Sequence, residues 1–256
     1  AVAAGALYKV TDQVSIYANA SRGYFFPEIR AVTFNTLFQP ATFEAEIIKQ
    51  GEIGIKVSQP TFSFTASLFA TKLDNRRQVL FVNDGAGGFR EQVNIVGTKS
   101  WGAEATMDIK LIGDLRFMGN LTLQKATYTD FDTAPANIGK DLERQPQLLY
   151  NAGLYYDNGA LDAAFFTNYT GDNFTAATNT IRLKGWNIAN FDAGYTVELG
   201  GAKSVRLGVN VFNVFNTDAV TEGSPRQDSN QTTSGAYFVG RPVLPRRISG
   251  RLTFNF

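Results

Sequence analysis

Apolar and polar residues alternate with a period of two over unusually long stretches of this chain. From Arg247 to Phe256 the pattern is unbroken: Ile248, Gly250, Leu252, Phe254 and Phe256 fall on one side, and Arg247, Ser249, Arg251, Thr253 and Asn255 on the other. Successive side chains of a β-strand point to opposite faces of its sheet, so this segment reads as a strand with one apolar and one polar face. The division recurs upstream. Trp101, Ala103, Ala105, Met107, Ile109 and Leu111 oppose Gly102, Glu104, Thr106, Asp108 and Lys110. Val205, Leu207, Val209 and Val211 oppose Arg206, Gly208 and Asn210. Many runs last about ten residues, which is long for a soluble domain and what a bilayer core requires of a tilted strand. The pattern predicts eleven strands, near residues 2–10, 13–22, 44–58, 61–82, 89–111, 114–129, 146–157, 160–171, 186–199, 203–215 and 245–256.

The connections alternate in length. Short turns fall at Thr11-Asp12, Gln59-Pro60, Ile112-Gly113, Asn158-Gly159 and Gly200-Gly201; long ones cover 23–43, 83–88, 130–145, 172–185 and 216–244. Short turns on one edge and long loops on the other is the layout of an outer-membrane β-barrel. A soluble sandwich or barrel also alternates, but its loops need not segregate by length. Gly51, Gly119 and Gly250 on apolar faces suit fluid lipid better than a close-packed core. Trp101, Tyr150, Tyr156, Tyr169, Trp186, Phe254 and Phe256 gather near strand ends, as in a girdle at headgroup depth. A Lys or Arg facing lipid near the midplane costs roughly 2–4 kcal/mol, and the central apolar faces carry no charge. The expected fold is therefore all-β, an antiparallel transmembrane β-barrel wall.

Composition narrows the chemistry. Among 256 residues, 24 Lys plus Arg balance 23 Asp plus Glu for a net charge of +1, and the basic residues are scattered, so no nucleic-acid face is expected. There is no Cys and no His, which excludes zinc fingers, disulfide scaffolds, thiol nucleophiles and histidine triads. No apolar run is long enough for a transmembrane helix. The start at Ala1, without Met or leader, reads as a processed chain or a piece of a longer one.

Certain segments carry a family resemblance: Ser21-Arg22-Gly23-Tyr24-Phe25-Phe26-Pro27-Glu28, Glu44 to Lys56, Gly97-Thr98-Lys99-Ser100-Trp101-Gly102-Ala103-Glu104, Val209 to Asn216, and the closing strand from Arg246. In order and spacing the chain resembles the C-terminal half of a TonB-dependent outer-membrane receptor barrel. The resemblance implies a barrel of about 22 strands around a plug, of which residues 1–256 are the C-terminal part. Neither a plug-like nor a TonB-box-like segment is visible. The implied partners are the lipid bilayer, the plug of the same full-length protein, TonB acting through it, the barrel assembly machinery and a small nutrient ligand. The implied place is the outer membrane of a Gram-negative bacterium. The implied function is active import of a scarce nutrient such as a ferric siderophore, with no enzymatic activity and no cofactor. The alternative is a passive porin without a plug.

Candidate residues follow in three groups. Tyr24, Phe25, Phe26, Arg30 and Phe34 on one long loop, with Tyr237 and Arg241 on another, combine aromatic faces and cations suited to an anionic or aromatic ligand; the plainer reading is loop-base packing. Glu52, Glu104, Arg116, Arg206 and Arg251 belong to the polar face, where they either meet a plug or pair across strands. By resemblance, the terminal Phe256 belongs to the barrel assembly signal; a girdle aromatic is the other reading. Asp130, Asp132, Asp141 and Glu143 cluster in one loop, as a calcium site would need, but lack the EF-hand spacing, and no metal site is assigned. Glu104 and Asp108 lie roughly 13 Å apart along one strand face, too far for paired-carboxylate catalysis.

Overall fold

The alternation is realised as strands. The computed structural model describes residues 1–26, 44–83, 89–201, 203–226 and 237–256, with side chains at all of these except 79–83, 89–93, 224–226 and 237–239. In chain order the strands are β1 (Val2–Lys9), β2 (Val14–Phe25), β3 (Glu46–Gln59), β4 (Phe62–Asn83), β5 (Phe89–Lys110), β6 (Leu115–Phe131), β7 (Leu148–Asp157) and β8 (Leu161–Thr170). There follow β9 (Asn173–Phe174), β10 (Arg182–Leu183), β11 (Trp186–Gly200), β12 (Lys203–Phe212), β13 (Val220–Arg226), β14 (Tyr237–Pro242) and β15 (Arg247–Asn255). Eleven of them form one antiparallel sheet in the order β1-β2-β3-β4-β5-β6-β7-β8-β11-β12-β15, the eleven that the alternation predicts. β9 with β10 and β13 with β14 make two small hairpins inside segments that the sequence reads as loops. The wall is not closed within this chain, since β1 and β15 are its two edges.

Register keeps like with like. Ile16, Ile55, Ala66, Ala105, Leu121, Tyr150 and Tyr169 stand opposite one another from β2 to β8 as one apolar row. Tyr150 and Tyr169 stack with ring centroids 5.0 Å apart. A slip by one residue would turn every such row to the other face, so the division of polarity fixes the register. The short turns follow suit. At Asn158-Gly159 the glycine takes φ +88 while Asn158 Oδ1 accepts the N–H groups of Ala160 at 3.1 Å and Leu161 at 2.8 Å.

The core lies at one end. Among the described residues the buried apolar ones are Val96, Ala126, Tyr128, Phe131, Leu183, Ala189 and Val243, all at the long-loop edge. On the rest of the apolar face large side chains lie open: Ile53 is 58% exposed, Leu68 58%, Trp101 59% and Leu207 59%. A greasy surface of that extent is what a lipid-facing wall presents and what a soluble domain avoids.

β4 and β5 outrun their neighbours, at 22 residues each. Their apolar rows end near Ala70 and Trp101, and beyond a register shift between Leu73 and Arg76 they continue paired to Asn83 and Phe89. β6 follows them to Phe131, past the last β7 partner of Leu123. β12 stops at Phe212 instead of continuing to residue 215, because Asn213 takes a left-handed conformation at φ 52 and ends the ladder.

Candidate functional site

The polar-face rows bring several charged side chains into contact with neighbouring strands. On β3, Glu52 accepts hydrogen bonds from Tyr17 Oη at 2.5 Å and Asn19 Nδ2 at 3.2 Å. Tyr17 reaches it by lying flat over Gly54, where an added Cβ would meet the ring at 2.5 Å. Lys56 stands over that ring, with Nζ 4.9 Å from its centroid. Glu104, opposite Ser67, joins Asn19, Gln50, Glu52, Phe69 and Thr71 around a polar recess of about 210 Å³. Two carboxylates so placed present an acceptor-rich patch to whatever fills the enclosed side.

Arginines bridge strands farther along. Arg116 on β6 engages Asp108 of β5 through two hydrogen bonds, one from Nε at 2.5 Å. Arg206 on β12 crosses the whole of β11 to reach Asp162 on β8, donating from Nε at 3.1 Å and from Nη2 at 2.5 Å. That reach requires Gly194, since a Cβ there would overlap the guanidinium. Bidentate pairing fixes both ends of each bridge. Among the described residues Glu104 and Arg251 take part in no ion pair.

The long-loop edge is a second site, and it is ordered by a polar network. Val96, Tyr128 and Phe131 pack with Ala134, Leu142 and Ala177. Glu143 accepts a hydrogen bond from Gln78 at 2.8 Å and another from the Tyr128 hydroxyl. Tyr128 lies above the apolar row of β6. Burial, and then its bond to Glu143, raises its phenol pKa well above the ordinary value. Asp132 Oδ1 accepts from the N–H groups of Ile95 at 3.0 Å and Thr133 at 2.7 Å. Asn179 Nδ2 donates to the Asp141 carbonyl at 2.9 Å, and Asp141 N–H returns to Asn179 Oδ1 at 2.9 Å. Asn213, fully buried, donates to the carbonyls of Thr217 at 2.9 Å and Leu244 at 3.0 Å. Its own oxygen accepts the Thr217 N–H at 2.8 Å, and its backbone N–H donates to Asn190 Oδ1 at 3.1 Å.

These contacts redistribute the loop carboxylates. Asp141 pairs with Lys125 at 2.6 Å, Asp132 binds backbone, Glu143 holds Tyr128 and Gln78, and Asp130 lies exposed. No three of them converge among the described residues. Asp141 and Glu143 are both engaged by β6, through Lys125 and Tyr128, while Asp132 holds backbone N–H groups.

The ligand candidates part company. Alternation along β2 puts Tyr24 on the apolar-face row, where Arg22 lies 5.1 Å from its ring centroid, while Phe25 falls on the polar-face row. Phe26 is 73% exposed just beyond the strand. Arg30 and Phe34 lie outside the described residues. Tyr237 and Arg241 belong to the β13–β14 arm, where Arg241 stands opposite Glu222 and the side chain of Tyr237 is not described. Phe256 follows β15 on the apolar row, 95% exposed.

Gln78, Tyr128, Glu143 and Asn213 organise this edge, and the alternation does not mark them because they stand above the period-two rows. Asn213 alone had a signal. It is a strand-end Asn of the kind that tolerates the left-handed region. Trp186, at the loop end of β11, has its indole N–H buried without a hydrogen-bond partner among the described residues.

Open edges, one lipophilic face and one ionic face define a segment of a transmembrane β-barrel. The family model of the TonB-dependent receptor-like β-barrel matches residues 3–214, and the chain belongs to that family. Solved structures agree on the fold. The ferric-catecholate import receptor Fiu of E. coli K12 superposes with a TM-score of 0.70 at 21% identity, over 99% of this chain and 34% of that one. BauA, the ferric preacinetobactin receptor from Acinetobacter baumannii, gives 0.71 at 20% identity, over 98% and 35%. The copper transporter OprC gives 0.73 at 15%, over 98% and 38%. The chain thus spans about a third of the length of these relatives.

Proposed function

We propose that residues 1–256 form the C-terminal half of the barrel wall in a TonB-dependent active transporter of the Gram-negative outer membrane, importing a ferric siderophore. The remaining strands and a plug belong, in this reading, to the rest of the full-length protein. An open sheet edge in hydrocarbon leaves N–H and C=O groups unpaired, at several kcal/mol each, so β1 and β15 need further strands to close on.

The observation that carries the reading is the polar face. It is lined with charge and carries two carboxylates, Glu52 and Glu104, around one recess. A wall facing only water needs no such patch; a wall facing a folded plug uses it to hold cations of that plug. Arg251 is a further polar contact for the plug, while the Arg116 and Arg206 bridges stiffen the wall. TonB then acts through the plug.

Cargo is captured at the long-loop edge. Phe25 and Phe26 offer aromatic faces there, and Arg30, Phe34, Tyr237 and Arg241 complete the set. Two of the structures above are named for a ferric catecholate and for ferric preacinetobactin, which supports an iron chelate as cargo. Phe256 ends the wall on its apolar row and serves the assembly machinery as a terminal aromatic. The reading assigns no catalysis.

The test is uptake of radio-iron-loaded siderophores by cells carrying the full-length gene in a receptor-deleted strain. Accumulation that needs TonB and the proton-motive force is the expected result. Uptake indifferent to TonB, or ion conductance without an energy source, would overturn it. Within a positive assay, replacing both Glu52 and Glu104 by Gln should reduce uptake while surface ligand binding persists.

A further inference from the structure

Four cations stand in register on the apolar side of the sheet. Arg22 of β2 is directly opposite Lys49 of β3, Lys49 opposite Lys72 of β4, and Lys72 opposite Lys99 of β5. Lys125 of β6 adjoins them diagonally, opposite Trp101. Like charges directly across a ladder destabilise it, so the sheet gains nothing from this arrangement on its own. At a strand spacing of about 4.8 Å the four span roughly 14 Å.

Little on the protein neutralises them. Asp74 is shared by Lys49 at 3.3 Å and Lys72 at 2.8 Å, and Asp141 takes Lys125 at 2.6 Å. Among the described residues neither Arg22 nor Lys99 meets a carboxylate, and both are exposed.

Their position is as telling as their charge. The residues one step inward on the same rows are Ala20, Gly51, Ala70 and Trp101, which are apolar. Below them opens a trough of about 680 Å³ walled by Ile53, Leu68, Leu121 and Leu123 over small residues such as Ala18 and Ala103. From Phe62 at the short-turn edge to Lys72 is ten residues, roughly 34 Å along a strand and so about 25 Å of height at a tilt near 45°. That is the height of the apolar band of such barrels. The cations therefore stand at headgroup depth above a groove at acyl-chain depth.

We infer that the outer surface of β2–β6 binds a phosphate-bearing lipid, its headgroup held by Arg22, Lys49, Lys72 and Lys99 and its acyl chains in the trough below. A second copy of this chain is a poor occupant, because it would bring the same cations to the contact. A free anion would leave the trough unused. The inference rests on the apolar rows facing lipid and is independent of cargo and of TonB.

The experiment uses the full-length receptor in phosphatidylcholine bilayers containing a dibrominated-chain lipid, either phosphatidic acid or phosphatidylcholine. Bromine quenches tryptophan on contact, and Trp101 lies exposed beside Lys99's row. Subtracting the Trp101→Phe protein isolates its signal. Phosphatidic acid should be preferred at Trp101, by roughly fivefold for each cation engaged. The variant Arg22→Gln with Lys99→Gln, which orphans no carboxylate, should lose most of the preference, and Arg22→Lys with Lys99→Arg should keep it. Heat-modifiable gel migration checks that each variant is folded.

Equal quenching by the two lipids in the unmodified protein overturns the inference, as does an unchanged preference in the Gln variant. Abolition of the preference by inorganic phosphate, but not by chloride at equal ionic strength, reassigns the cations to a free anion. Protection of Trp101 from both lipids together with crosslinked dimers reassigns the face to a second copy. Siderophore uptake by the same variants is read separately, so failure here and failure of the transport reading are distinct results.

Discussion

At the scale of single residues, two positions on this wall are fixed by space and backbone and not by polarity. Gly194 holds the gap through which Arg206 crosses to Asp162. Gly194→Ala should disable that bridge, so that Arg206→Ala destabilises the otherwise unmodified receptor but adds almost nothing in the Gly194→Ala background. A double-mutant cycle of urea midpoints measures this. Asn213 is the other. It combines φ 52 with complete burial and hydrogen bonds to Asn190, Thr217 and Leu244. Asn213→Ala leaves two carbonyls and an N–H unsatisfied and strains the turn, costing about 3 kcal/mol. Asn213→Gly relieves the strain but not the lost bonds, so it should fall between. Protease nicking of the 213–246 loop in intact cells should rise in the same order.

At the scale of elements, the parts of the molecule divide by what specifies them. The eleven wall strands were legible in the sequence because each must show one face to lipid and one to water, and Leu115 to Gln124 or Val205 to Val211 state that in plain alternation. β4, β5 and β6, which project past their neighbours, were legible too: the expected 61–82, 89–111 and 114–129 lie within two residues of the strands formed. The hairpins within the long loops and the end of β12 were not. The short hairpins β9–β10 and β13–β14 are held by their surroundings, as when Arg144 N–H donates to the Phe174 carbonyl at 2.8 Å. Glu52, Glu104, Arg116, Arg206 and Arg251 fall on one side of the sheet by register, whereas Arg22, Lys49, Lys72 and Lys99 fall on the other. Which charges pair was hidden, because Asp162 and Arg206 lie two strands apart. This projecting element also titrates. Burial and Glu143 hold the Tyr128 phenol above its usual value of about 10. A group with a raised folded pKa gives full stability below its unfolded pKa and loses it as pH rises through the folded one. Absorbance titration against Tyr128→Phe should show this buried phenol ionising above the ordinary tyrosine range, together with loss of structure at the long-loop edge.

At the scale of the whole molecule, the two faces of the wall make opposite demands, and paired substitutions expose them. Leu207→Arg places a cation on the lipid side and should cost roughly 2–4 kcal/mol near the midplane. Ser249→Arg, on the other face, should change stability far less. Unfolding of the full-length receptor in detergent, compared for the two variants, checks the difference. A larger cost for Ser249→Arg would mean that the faces have been exchanged, and equal costs that neither faces lipid.

The placement of the buried core bears on how such a wall changes over time. Through the bilayer the strands are joined by main-chain hydrogen bonds that are blind to side-chain identity, and only the polarity of each row is prescribed. Most residues there can therefore be traded within their class without loss of the ladder, and the Fiu receptor matches this sheet over 99% of this chain at 21% identity. The loop-end network, in which Asn213 or Glu143 each serves several partners at once, has no such latitude. Lineages descended from this barrel should diverge fastest within the membrane and keep their memory outside it.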